Sequence, residues 1–408
     1  MRKFVLLLLA PLLFCALPAF SIDEYSSPDE VVLQIDEQAP EEEPIHEELN
    51  TLGIETTQEH AEIQRDKTLK EKLNDIYNLE VTQLNQNNYL LTDILTKHFE
   101  DNKVIESIHP FAGYNGSVLF NFNQPDSFKT NYNFHAINAG FDGKFKNSKS
   151  DFRVLFAISP LSSRNMLRNA FSDVYIGTNE IPNNRIQIGY QRPGNGIEGK
   201  RSSYQLPFVY RSQIARNFGT VRKLGARAIG DYDLIEYDIG GYSSGTYFKS
   251  FFPGAEFDCW VNLKPLGKTK GKYGKLKVGG GIQSGHRDIN YTVTGAYASY
   301  EYKKFKANVE WANANGYNGA SGNVVDRHAS GFYTTLRYAA TPKLHVLARY
   351  DEFDPDNHVK NNNKREYTLG LNYFIKGPGL KLILNYIFCQ NDSAKDSHRI
   401  MLGTQILL

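Results

Sequence analysis

Between Gly331 and Leu408 the chain alternates apolar and polar residues one for one through five consecutive segments. In Lys364 to Lys376, one parity holds Tyr367, Leu369, Leu371, Tyr373 and Ile375, and the other holds Glu366, Thr368, Gly370, Asn372 and Phe374. Successive side chains of a strand point to opposite faces, so each segment presents one apolar and one polar surface. Gly379 to Cys389 repeats the pattern with Leu380, Leu382, Leu384, Tyr386 and Phe388, although Ile383 and Ile387 intrude on the polar parity. The last segment sets Ile400, Leu402, Thr404, Ile406 and Leu408 against Arg399, Gly403 and Gln405. Such strands suit a wall between lipid and water, but a soluble sandwich alternates as well.

Spacing of the segments separates the two. Carried back to Lys103, the reading gives about 16 antiparallel strands, the first near Gly113 to Phe122 and the fifth near Asn184 to Gln191. Tight turns at Gly230-Asp231, Thr341-Pro342 and Gly377-Pro378 fall on one side. Longer polar connections, Gly241 to Pro253, Gly316 to His328, Asp354 to Lys364 and Gln390 to His398, fall on the other. Pro265 to Tyr273 is the exception, long where a tight turn is expected. A sandwich has no reason to sort its loops by side, whereas an outer-membrane barrel does. The expectation is an all-β transmembrane barrel over residues 103–408 with both ends in the periplasm.

The N-terminal part differs in kind. Arg2 and Lys3, the apolar run Phe4 to Leu17 and the small residues Ala19 and Ser21 predict a signal peptide over 1–21, cut near Ser21, and hence export to the outer membrane. Residues 22–64 read as an acidic disordered linker. In 65–102, Leu69, Leu73, Tyr77, Val81, Leu84, Leu91 and Leu95 recur at helical spacing and predict a periplasmic amphipathic helix. It either packs on its own barrel or forms a short coiled coil. Charge divides the same way. Residues 22–102 hold 21 acidic against 5 basic residues, and 103–408 hold 24 acidic against 39 basic. Cys259 and Cys389 lie on opposite parities, which argues against a disulfide, and cysteine supplies no metal site.

About sixteen strands enclose more space than side chains fill, so water occupies the lumen and its lining decides what passes. The inward parity includes Lys223, Arg227, Arg337, Arg349, Lys381 and Arg399 among its cations and fewer acids, Glu236, Asp238, Asp258, Glu310, Asp351 and Glu366 among them. Fixed positive charge in such a tube concentrates anions. The connection Arg192 to Gly219 carries Leu206, Phe208 and Val209, which need a dry place, so it is expected to fold into the barrel. Folded inward it brings Lys200, Arg201, Arg211 and Arg216 to the narrowest point as anion-binding candidates, or pairs its arginines with Glu198 and lumen acids to hold itself in place.

The run Ile186-Gln187-Ile188-Gly189-Tyr190-Gln191, then Pro193, Glu198, Ser202-Ser203 and Arg222, resembles the phosphate-selective porin O and P family. Ala348-Arg349-Tyr350-Asp351-Glu352-Phe353-Asp354-Pro355, Thr368 to Tyr373 and Leu384-Asn385-Tyr386 resemble that family's final strands. The resemblance, from Ser172 to Leu408, implies a 16-stranded homotrimeric porin in outer-membrane lipid that passes inorganic anions such as phosphate. It departs in ending on Leu408 and in its acidic front end. A general or sugar porin, and an envelope tether anchored by the barrel, are the alternatives. An enzyme is not expected: His345 faces inward, neither it nor His398 has a serine and carboxylate beside it on the lipid face, and Gly267 to Gly274 lacks the spacing of a phosphate-cradling loop. No cofactor and no nucleic acid are implied.

Overall fold

The computed structural model describes residues 95–122, 128–157, 171–219, 222–245, 251–319 and 323–408. The expected signal peptide, the acidic linker and residues 65–94 of the expected helix lie outside the described residues. Of its C-terminal end, Leu95 is helical and residues 96–102 are not. Lys97–His98 forms a two-residue strand, β1, paired with Ser107 and Ile108.

Among the described residues seventeen strands follow one another in chain order, and sixteen of them close on themselves. After β1 come β2 (Ile105–Phe122), β3 (Phe128–Phe145), β4 (Ser150–Ala157), β5 (Phe171–Thr178), β6 (Asn184–Gln191), β7 (Lys223–Asp231), β8 (Ile235–Ser243) and β9 (Ala255–Leu263). The second half comprises β10 (Lys275–Arg287), β11 (Ile289–Tyr302), β12 (Phe305–Asn318), β13 (Val324–Ala339), β14 (Leu344–Asp354), β15 (Lys364–Lys376), β16 (Leu380–Asn391) and β17 (Ala394–Leu407). Each pairs antiparallel with its sequence neighbour, and β17 closes the barrel on β2 from Leu407 opposite Gly113 to His398 opposite Phe122. Closure leaves no open edge, as a sheet in lipid requires. Among the described residues no helix is long and apolar enough to cross a membrane.

Each of the sixteen expected strands is present, with the alternation turned into two faces. In β15, Leu369 is 62% exposed on the outside while Thr368 is 2% exposed on the inside. The outer face carries aromatic belts. Phe332, Tyr350, Tyr367 and Phe388 stand side by side across β13–β16, with neighbouring ring centroids 5.6, 5.1 and 6.0 Å apart. Near the opposite rim, the Phe305 and Tyr338 rings lie 4.8 Å apart.

Two long connections of the sequence reading turn out to be short. The ladder of β12 runs to Asn318 and resumes at Val324 in place of a Gly316 to His328 loop, and β16 runs to Asn391 with β17 starting at Ala394 in place of a Gln390 to His398 loop. Alternation of hydrophobicity stops where the wall leaves lipid, but backbone pairing does not need lipid and continues through polar residues. β2 likewise starts eight residues earlier than expected. Pro110, which has no N–H to give, is accommodated there because the ladder with β17 has already ended at Ala112 and Leu408.

Candidate functional site

The segment between β6 and β7 does fold into the barrel, and its apolar residues find dry partners on the inner wall. Phe208 is 1% and Ile214 2% exposed. Val209 packs with Ile383, Ile387, Met401 and Leu119, which explains the two isoleucines that break the polar parity of β16. Helix α1 (Gln213–Phe218) lays Ile214 and Phe218 against Val293, Ala312, Ala314, Tyr317, Ala329, Tyr333 and Phe353. Inward glycines make room. A methyl group on Gly403 would sit 3.0 Å from Val209, and one on Gly370 3.0 Å from the Phe208 ring.

Polar residues of the wall then hold the loop backbone strand by strand. Val209 N–H donates to Asn385 Oδ1 at 2.8 Å, Gln213 N–H to Asp351 Oδ2 at 2.8 Å, and Ile197 N–H to Glu310 Oε2 at 2.9 Å. Asn372 Nδ2 donates to the Pro207 carbonyl at 2.8 Å and Lys381 Nζ to the Leu206 carbonyl at 3.1 Å. Trp260 Nε1 donates to Asn195 Oδ1 at 3.1 Å. Amide protons aimed at fixed acceptors leave few buried backbone groups of the loop without partners.

Of the ten cations singled out in sequence, Arg349, Arg211, Arg216 and Arg399 join Lys381 in this fastening, and Lys223 is held within the wall. Arg349 donates to the Tyr210 carbonyl at 3.0 Å, lies 3.5 Å from Glu198 Oε2, and stacks over the Phe208 ring at 4.7 Å. Arg211 donates to the carbonyls of Glu198 and Arg201, closing the loop on itself. Its guanidinium is pushed down to about 10 by burial, against the pull of Glu198, and keeps its charge at neutral pH. Arg216 pairs with Glu366 Oε2 at 2.8 Å, and Arg399 reaches the other carboxylate oxygen at 3.6 Å. Burial opposes the Arg216 charge, but Glu366 and Asp351 outweigh it and hold its pKa above the ordinary value. Lys223 is buried against Glu256.

Lys200, Arg227, Arg337 and Lys381 line a chamber of about 130 Å³ on the side of the loop where Pro378 and Leu407 lie. Arg153, Arg192 and Arg222 join them, against a single lining carboxylate, Asp173. Arg153 was visible as an inward cation and Arg222 as part of a motif, but neither could be ranked, because only the closed barrel brings β4, β7, β13 and β16 around one space. Several of these charges are shared with acids behind them. Arg153 lies 2.5 Å from Asp142, Arg222 2.6 Å from Asp173, Arg227 3.3 Å from Asp238, and Arg337 3.8 Å from Glu301. Lys381, 3% exposed, has no carboxylate partner among the described residues. Burial holds the Lys200 ammonium below the ordinary lysine range, with Glu236 acting the other way. Arg201 is buried within the loop, where its carbonyl accepts from Arg211.

A closed sixteen-stranded antiparallel barrel with aromatic belts, a polar inner face and an inward-folded loop is the architecture of outer-membrane porins. Residues 260–407, from within β9 through β17, match the family described as phosphate-selective porin O and P. The resemblance read from sequence thus holds over the second half, while the Ile186 to Arg222 motifs lie outside the matched residues. Among solved structures, the chain is similar to a loop-deletion mutant of OmpT from Vibrio cholerae, at 14% identity and a TM-score of 0.54, covering 74% of this chain and 99% of that one. It is also similar to an anion-selective porin from Comamonas acidovorans, at 12% identity and a TM-score of 0.53, again covering 74% and 99%. A trimer form of OmpT from Vibrio cholerae matches at 14% identity with a TM-score of 0.51, over the same shares. No curated protein matches the chain.

Proposed function

We propose that the pore is anion-selective and passes small anions by diffusion, with the chamber beneath the loop as the selecting element. The observation that carries this is the composition of the chamber wall, in which seven basic side chains face one carboxylate. A low-dielectric tube focuses that excess, raising the local anion concentration and lowering that of cations. Lys200, Arg227, Arg337 and Lys381 act on the passing solute, with Arg153, Arg192 and Arg222 beside them. Arg201, Arg211, Arg216, Arg349 and Arg399 act through the loop, whose position sets the bore, while Lys223 is neutralised in the wall by Glu256. The rim holding Ile105 and Leu407 faces the periplasm in this reading, since its connections are mostly tight.

A homotrimer belongs to the same reading. Strands β6 to β9 have only eight or nine residues each, at or below the roughly 9–11 that a tilted spanning strand needs. This arc is therefore where neighbouring subunits, rather than lipid alone, would cover the wall. The anion reading is tested by reconstituting the purified protein in planar bilayers across a KCl gradient. The reversal potential should have the sign of chloride preference, and a potassium-preferring sign would remove the assignment. Phosphate as the preferred solute is tested in the same bilayers by its block of chloride current.

A further inference from the structure

The chamber's charges are interleaved with carbon surface. Beside the arginines and lysines, its lining includes Phe111, Leu155, Leu206, Phe374 and Leu407. Phe111 lies under the Arg153 guanidinium at 5.2 Å, and Phe374 is set against the His345 ring at 4.7 Å, so aromatic surface and basic groups stand next to each other. Resting on the anion-channel reading above, we propose that this chamber takes organic anions with an apolar body, aryl or branched alkyl carboxylates, in preference to inorganic phosphate.

Three observations support that class. A phosphate or chloride ion gains nothing from apolar walls and loses hydration against them, whereas a carboxylate on a guanidinium fork leaves its body free to cover carbon surface. The space is of the right scale, because a cavity of roughly 150 Å³ accepts a benzene ring and this one measures about 130 Å³. The third observation concerns polar groups of the same wall. Gln187, Gln191, His345 and Asn372 are each at least 97% buried, and Gln187 Nε2, Gln191 Oε1, His345 Nε2 and Asn372 Oδ1 make no hydrogen bond among the described residues. A lining that offers acceptors as well as donors suits a solute carrying hydroxyl or amide groups beside its carboxylate. It suits a phosphate, which presents mainly acceptors, less well.

The test uses the full-length channel in planar bilayers with chloride as the carried ion and acetate, isobutyrate, benzoate and phosphate as blockers. Benzoate should reach half-block at a concentration about tenfold below acetate, the scale expected for burying part of a ring, with isobutyrate between them and phosphate above benzoate. Phe111→Ser and Phe374→Ser should bring the benzoate and acetate values together while leaving chloride conductance within about twofold. The wild-type series decides the matter even where a variant does not assemble. Equal block by benzoate and acetate, or tighter block by phosphate than by benzoate, overturns the proposal with the anion reading intact. A reversal potential showing cation preference in KCl overturns the anion reading itself.

Discussion

Arg349 and Lys381 are both basic, both point into the lumen and sit two strands apart, yet they do different work. Arg349 lies in a region where every charge has a partner: Glu198 and Asp351 on one side, loop carbonyls and the Phe208 ring on the other. Lys381 meets only the Leu206 carbonyl and otherwise borders the chamber. The first is spent on geometry, while the second, besides holding a loop carbonyl, borders the space a solute crosses. Inward charge alone therefore says little about permeation; whether the charged group borders the chamber or lies buried against the loop and its acids sorts the selectors from the fasteners.

Removing a fastener should have the largest effect. Arg349→Ala leaves Glu198 and Asp351 buried without their cation, which costs about 3–5 kcal/mol. The expected outcome is a wider, noisier single-channel conductance and a clear fall in the temperature at which the barrel unfolds on gels. An unchanged conductance would mean that the loop is held without it. Next in size is crowding of the seat. Gly403→Val should force Val209 from its place at about 1–3 kcal/mol, raising conductance with selectivity largely retained. The smallest structural change belongs to the selectors. Arg337→Ala combined with Lys381→Ala should lower the unfolding temperature less than Arg349→Ala does while reducing the chloride-to-potassium permeability ratio several-fold. A lost fold with unchanged selectivity would reverse the comparison.

Lys200 sharpens the same contrast through pH. Its ammonium is held below the ordinary range by burial, so as pH rises it loses its charge before surface lysines do. Anion preference should accordingly weaken on the alkaline side earlier than surface lysines would allow, and Lys200→Gln should remove that early component of the titration.

How much of this was legible in the sequence follows from what each signal depends on. Strands were legible because lipid imposes a period of two on one face, as in Leu369 and Leu371 against Thr368 and Asn372. The inward folding of the loop was legible from Leu206, Phe208 and Val209, which had nowhere else to go. Its seat was present in plain view as the intruders Ile383 and Ile387 and the inward glycines Gly370 and Gly403, but their meaning needed a partner some 176 residues away, the separation between Val209 and Asn385. The sorting of arginines was not legible. Whether Arg227 or Arg349 lines the chamber depends on which strands meet across the lumen, and one-dimensional parity carries no information about that. The upper ends of β12, β16 and β17 were missed for a simpler reason, since outside the lipid both faces are wet and alternation fades.

The distance between the loop and its anchors also bears on how the barrel is made. Gln213 must wait for Asp351, 138 residues later, and Val209 for Asn385, 176 later. Contacts between such distant partners form late, after the costly closure of the intervening chain. The strands that supply the anchors, β12 to β17, are also those whose arrival completes the ring. A nascent barrel would thus begin as an unrestricted hoop, and its bore would be set only when the final strand is stitched to β2. Leakiness during assembly and the selectivity of the finished channel are in this way governed by the same few hydrogen bonds.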